Sequence, residues 1–226
     1  MRILIRVYAP FFLLLALVAA VCARWDLPVH LFTQEPQVLA RLPWYAGGLA
    51  MITGWLWCAA AAACLIGWSL LRARRDADRL PAFLLYFGLL SLGVLLDDAF
   101  QLHERSVAWF GIREKAVYSA YLAVLVLGLF SFRYELLKSD FRLLLSSALF
   151  LGLSVIVDVL QSIYGERLGP WRPLFEDGFK LLGAAGWLGY FWTTASGALS
   201  RSSSTHDKGV RFSSYSGGRL AVMIGP

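Results

Sequence analysis

Two aspartates, a histidine and a glutamate stand within eight residues in LLDDAFQLHE, residues 95–104. Carboxylates beside an imidazole suit a divalent cation of the oxygen-preferring or borderline kind, such as Mn, Fe, Ca or Zn. Crowded carboxylates otherwise repel one another, and a bound cation or a shared proton relieves the repulsion. Further ionisable residues follow along the chain: Glu114 and Lys115, then Asp158 with Gln161, then Glu176, Asp177 and Lys180 in EDGFK. The candidate metal ligands are Asp97, Asp98, His103, Glu104, Asp158 and Glu176. Asp177, Lys180, Glu114 and Lys115 are supporting residues.

The spacing excludes several chemistries. No HExxH occurs and no Glu-x-x-His repeat, and HERS at His103 is not a metalloprotease motif. There is no G-x-S-x-G nucleophile elbow and no P-loop. His30 falls in a loop and His206 in the tail, where solvated histidines are the ordinary finding. Cys22, Cys58 and Cys64 lie in apolar runs without CxxC spacing, as inert core thiols do.

The elements that must position these residues are membrane helices. The 226-residue chain is 58% apolar and 16% charged, against about 45–50% and about 25% in soluble domains. Its apolar runs are too long and too continuous for the short alternating strands of a membrane barrel. A helical span needs about 20 apolar residues, and six segments qualify: about 3–23, 44–71, 81–100, 116–132, 143–164 and 174–199. The reading is therefore all-α, a polytopic bundle of about six transmembrane helices over residues 1–199, in the cell (inner) membrane. The Ser- and Gly-rich stretch 200–226 has no periodicity and reads as a flexible cytoplasmic tail. The first segment has the basic start of a signal peptide, but its apolar run exceeds the usual h-region. It reads as an uncleaved helix.

Basic residues set the orientation. With the N-terminus cytoplasmic, that side carries Arg2, Arg6, Arg72, Arg74, Arg75, Arg79, Arg133, Lys138, Arg142, Arg201, Lys208, Arg211 and Arg219. The other side carries Arg24, Arg41, Arg105, Arg113, Lys115, Arg167 and Arg172. Thirteen against seven places both termini in the cytoplasm. The net charge of +6 then reflects topology; no basic-aromatic module points to nucleic acid, and the partner expected is the lipid bilayer.

On this topology Asp97, Asp98, His103, Glu104, Glu114, Lys115, Asp158, Glu176, Asp177 and Lys180 all fall at the non-cytoplasmic end. A carboxylate in lipid costs about 2.5–3.5 kcal/mol even on the lenient insertion scale, so it faces the bundle and finds a partner. Asp97 and Glu104 share a face if their helix continues, and Glu176 with Lys180 is a favourable acid-first i,i+4 pair. Glu176 and Asp177 also suit a helix N-terminus. A purely structural account stands beside the site reading: these are interface residues, solvated or paired by Lys180, Arg105, Lys115 and Arg172.

LDDAFQLHE, GIREKAVYSAY and EDGFKLLGAAGWLGYF together resemble a set of uncharacterised bacterial polytopic membrane proteins. These share the order L-D-D-x-F-x-x-H-E, E-K-x-x-Y-x-x-Y and E-D-x-x-K-x-L-G. The resemblance covers about residues 80–195 and implies a helical membrane bundle with no assigned activity. Its matched residues are Asp97, Asp98, His103, Glu104, Glu114, Lys115, Tyr118, Tyr121, Glu176, Asp177 and Lys180.

Three functions fit this reading. The first is a membrane protein of unknown activity with an ion- or ligand-binding acidic/His cluster on the extracytoplasmic side. The second is a metal-dependent enzyme acting on a lipid or lipid-linked substrate. The third is a proton- or cation-coupled transporter.

Overall fold

A computed structural model of the chain describes residues 2–34, 36–43, 45–72, 79–102, 111, 114–139, 141–164 and 171–217. Among the described residues the helices are α1 Arg2–Trp25, α2 His30–Thr33, α3 Pro36–Leu39, α4 Gly48–Leu71, α5 Leu80–Phe100, α6 Glu114–Ser131, α7 Arg133–Lys138, α8 Arg142–Tyr164 and α9 Arg172–Gly217. No strand occurs among them. The chain forms two compact units, Met1–Gly48 and Leu49–Pro226.

The first unit is α1 followed by two single-turn helices. Asp26 adopts φ 50° just after α1, and Leu27 N–H returns to Cys22 O at 3.0 Å. That left-handed residue and return bond end the helix. Gln37 then donates from Nε2 to Ala46 O at 3.3 Å and ties α3 to the turn before α4.

The second unit holds the helices that matter for the site. Gly48–Leu71, Leu80–Phe100 and Arg142–Leu160 are long and apolar enough to cross a membrane, while Phe12–Trp25 and Ala116–Ser131 are apolar but shorter. Trp55, Ile66, Leu89, Leu127, Leu149 and Trp192 stand exposed on the outside of this unit. Water tolerates apolar patches of only a few hundred Å²; helices apolar all round belong in lipid.

Side-chain contacts fix how these helices run. Gly88 on α5 lies against Cys64 and Leu65 of α4, and Gly54 on α4 faces Leu95. As the number rises on one helix it falls on the other, so α4 and α5 are antiparallel. Tyr86 OH donates to Val124 O at 2.5 Å and Tyr121 OH to Gly93 O at 3.4 Å, so α5 and α6 are antiparallel too. Gly183 meets Leu151 and Gly186 meets Ser147, which makes α8 and α9 the next antiparallel pair. Ala195 of α9 touches Gly67 of α4, and Trp187 lies 5.7 Å from Trp57, ring to ring; those two helices run the same way. One end of the bundle therefore collects the end of α5 and the starts of α4, α6 and α9, with the end of α8. The opposite end collects Leu71, Leu80, α7 and the start of α8.

The core between them is aromatic. Phe83 and Phe87 of α5 meet Phe191 of α9 at ring separations of 5.7 and 5.2 Å. Trp187 lies 5.0 Å from Phe191 and 5.8 Å from Phe87. Tilted and edge-on rings of this kind add about 0.5–1.5 kcal/mol per pair beyond the area they bury. Trp187 also donates to Ser91 Oγ at 2.9 Å, and Ser91 donates on to Phe87 O at 2.7 Å. The nearby Trp57 Nε1 is buried without a hydrogen-bond partner among the described residues.

α9 extends unbroken from Arg172 to Gly217, past residue 199, where the sequence reading places the end of the last span.

Two outcomes test this packing. A Cβ added at Gly183 would stand 2.6 Å from Leu151 Cγ and 3.1 Å from Leu151 N, whereas at Gly152 it would meet nothing within 4 Å. Gly183→Val is expected to cost about 1–3 kcal/mol through overpacking, and Gly152→Ala to leave stability unchanged or raise it; thermal unfolding of the detergent-purified protein reads both. Trp187→Phe is expected to cost about 1 kcal/mol more than Trp57→Phe, because only the former gives up a hydrogen bond. Equal costs in the same assay would mean that the Ser91 bond contributes nothing.

Candidate functional site

Asp97 and Asp98 close α5. The helix stops at Phe100 because Gln101 takes φ 52°, ψ 44°, and its N–H returns to Asp97 O. A left-handed residue in that place ends the helix. α5 itself therefore ends one residue after Asp98's neighbour Ala99. His103 and Glu104 lie outside the described residues.

Adjacent residues on a helix point about 100° apart, so the two aspartates serve different neighbours. Asp98 accepts a hydrogen bond from Lys180 Nζ of α9 in a direct ion pair. Asp97 is buried, with 7% of its surface exposed. It acts electrostatically on Tyr121 of α6, the residue whose hydroxyl reaches Gly93 O. The doublet thus bears on α9 through one carboxylate and on α6 through the other.

The start of α9 supplies the second half of the constellation. Arg172 Nη2 pairs with Glu176 Oε2 at 2.8 Å, one turn apart, and both side chains are mostly buried. Arg172 Nη1 is buried without a hydrogen-bond partner among the described residues. Glu176 stands in the combined field of Arg172, Asp158, Asp177 and Lys180. Asp158, half-buried near the end of α8, is thereby placed beside the first turns of α9.

The geometry adds to the acid-first spacing of Glu176 and Lys180: Lys180 still acts on Glu176, but its direct ion pair is with Asp98. Lys180 reaches across to Asp98 on α5, and Glu176 is held by Arg172. The acid-first spacing was real, but a carboxylate at the apolar end of another helix offers the lysine a stronger need for charge. Arg172 was legible only as one of several neutralising cations. Its role follows from the same i,i+4 rule, read toward the start of the helix.

Of the six proposed metal ligands, Asp97, Asp98, Asp158 and Glu176 are described. Among the described residues no group of three His, Cys, Asp or Glu side chains stands close enough to hold a metal ion. Glu114 and Lys115 begin α6 at the same end of the bundle, and nothing further is described of their side chains. The described geometry is one of carboxylates matched to tethered cations: Asp98 to Lys180 and Glu176 to Arg172.

A family model described as Domain of unknown function (DUF8692) matches residues 10–194. The match begins in the first apolar helix, well before the residues 80–195 that carry the sequence resemblance. No curated protein and no solved structure matches the chain.

The ion pair generates its own test. Asp98 and Lys180 side chains are 17% and 35% exposed, so removing one partner strands a largely desolvated charge. Asp98→Leu and Lys180→Met are each expected to cost about 1–3 kcal/mol, below the about 3–5 kcal/mol of a fully buried pair. The double variant Asp98→Leu/Lys180→Met is expected to recover most of that loss. Strictly additive losses in the thermal-unfolding cycle would mean the two side chains do not interact.

Proposed function

The chain belongs to this family of undefined function, and we propose that it is a six-span bacterial inner-membrane protein with both termini cytoplasmic and a cation-binding site at its extracytoplasmic end. The observation that carries the reading is the Asp98–Lys180 pair joining α5 to α9 beside the buried Asp97. Lys180 acts in this reading as a tethered occupant. Its ammonium holds the place that a mobile cation takes when conditions favour exchange. A cation that displaces Lys180 from Asp98 unfastens the start of α9 from the end of α5. The exchange converts ion binding into a change in helix contact, as a sensor or ion-responsive binding protein requires.

Asp158, Glu176 and Asp177 supply further negative charge around the exchange point, and Arg172 limits it by holding Glu176. The balance matters: the two tethered cations offset only part of the carboxylate charge, and the site becomes more attractive to a free cation when Lys180 leaves. In this reading His103 and Glu104, outside the described residues, are the remaining candidates for the same shell.

Anything that binds the folded state alone raises its stability by mass action. The purified protein is therefore titrated with Na⁺, Mg²⁺, Ca²⁺, Mn²⁺ and Zn²⁺ while its unfolding midpoint is followed. Lys180→Met is expected to respond to one of these cations at lower concentration than the wild type, because the competing ammonium is gone. Asp98→Asn is expected to lose the response. A Lys180→Met midpoint that stays flat in every cation overturns the proposal.

A further inference from the structure

The end of the bundle opposite the acidic site carries α7, a short helix joining α6 to α8. Its inner side is fixed. Phe132 and Leu136 pack against the aromatic core, Phe132 lies 5.6 Å from Phe83, and Ser139 Oγ shares a 2.8 Å hydrogen bond with Tyr190 OH. Its outer side shows Arg133, Tyr134, Leu137 and Lys138, whose spacing i, i+1, i+4, i+5 is one helical face. Tyr134 is 61% and Leu137 72% exposed. Two bulky apolar groups and two cations on one open face suit neither water nor the hydrocarbon core. They suit the boundary between them, where apolar groups sink toward the acyl chains and cations meet headgroups.

The cations there are held in a particular way. Arg72, at the end of α4, has its guanidinium carbon 4.2 Å from the ring centre of Trp68. Arg133 lies 4.9 Å from the rings of both Phe130 and Tyr134, and spends one N–H on Tyr134 OH at 3.2 Å. An aromatic ring steadies a guanidinium without neutralising it and without consuming its in-plane donors. Among the described residues neither arginine is paired with a carboxylate. Lys138 approaches Glu135 only at 3.7 Å, with the lysine side chain 69% exposed. Oriented N–H donors on charges that no described carboxylate neutralises, set beside interfacial aromatics, are complementary to a phosphodiester.

We propose that the outer face of α7, together with Arg72, is a docking surface for anionic phospholipid headgroups. It rests on the membrane reading of the chain but is independent of the acidic end. The phosphate of a lipid such as phosphatidylglycerol takes the donors of Arg133, and Arg72 offers a second headgroup contact at the same end of the bundle. The acyl chains continue along the apolar flank that Tyr134 and Leu137 mark. Zwitterionic lipid offers the same phosphate but adds a choline cation, which these arginines oppose.

Native mass spectrometry of the full chain in detergent, titrated with phosphatidylglycerol or phosphatidylcholine, tests this. The wild type is expected to bind phosphatidylglycerol in preference. Arg72→Gln/Arg133→Gln is expected to lose roughly fivefold in that affinity per cation removed, with phosphatidylcholine binding unchanged. Lys138→Gln is the second variant, since that exposed side chain carries little of the fold, and it is expected to weaken phosphatidylglycerol alone. Free glycerol phosphate is expected not to compete; full competition would mean an anion site and overturn lipid docking. Equal binding of the two lipids by the wild type, or wild-type selectivity in both variants, also overturns it. A chain that binds neither lipid would instead count against the membrane reading itself.

Discussion

A carboxylate at the apolar end of a helix must be neutralised by a group that another helix brings to it. Asp98 is in that position. Its neutralising group is Lys180, eighty-two residues away along the chain. The requirement couples α5 to α9 at the point where α9 begins, and the remaining charges arrange themselves around that coupling. Once Lys180 turns to Asp98, Glu176 needs another cation, and Arg172 supplies it from one turn earlier. Asp97, about 100° round the helix from Asp98, acts on Tyr121 of α6. Of the adjacent acids, Asp98 is thus the one that ties α5 to α9 directly.

An ion pair of this kind forms only if the helices are already held in register, and that register comes from packing. Gly183 and Gly186 bring α9 onto α8 closely enough for Ser147 Oγ to donate to Gly183 O at 2.7 Å. Gly67 and Gly88 do the same between α4 and its neighbours α9 and α5. In lipid there is no hydrophobic gain from helix association, so small residues and interhelical hydrogen bonds carry it. The aromatic layer of Phe83, Phe87, Trp187 and Phe191 then sets the separation of α5 from α9. Lys180 sits two turns before Trp187 on the same helix, and its reach to Asp98 follows from that separation.

Much of this was legible in the chain because lipid imposes strong patterns. The helices lie where the apolar runs are: α5 occupies Leu80–Phe100 against a reading of 81–100, and α8 occupies Arg142–Tyr164 against 143–164. Charged residues in such runs are few enough to be noticed one by one, which is how Asp97, Asp98, Asp158, Glu176 and Lys180 came to be singled out. The pairing among them was not legible. Local spacing favoured Glu176 with Lys180, and only the three-dimensional approach of α5 to α9 shows that Asp98 takes the lysine. The end of α5 was also hidden, because Gln101 gives no sequence warning of a left-handed turn where glycine would have. The Trp187–Ser91 bond was hidden for a related reason: both residues look like ordinary members of apolar helices until the two helices are brought face to face.

The two ends of the second unit treat their cations differently, and the difference has an electrostatic consequence. At the acidic end Arg172 and Lys180 lie on carboxylates; each pair sums to no charge, and its field fades within a short distance. At the other end Arg72 and Arg133 lie on rings. A ring attracts a cation through its quadrupole but cancels none of its charge, so these two arginines keep theirs. Topology in membrane proteins follows uncancelled lysine and arginine near the ends of spans. Arg72 and Arg133 belong to the larger group of basic residues in the chain's charge count, and their ring contacts leave that charge in place.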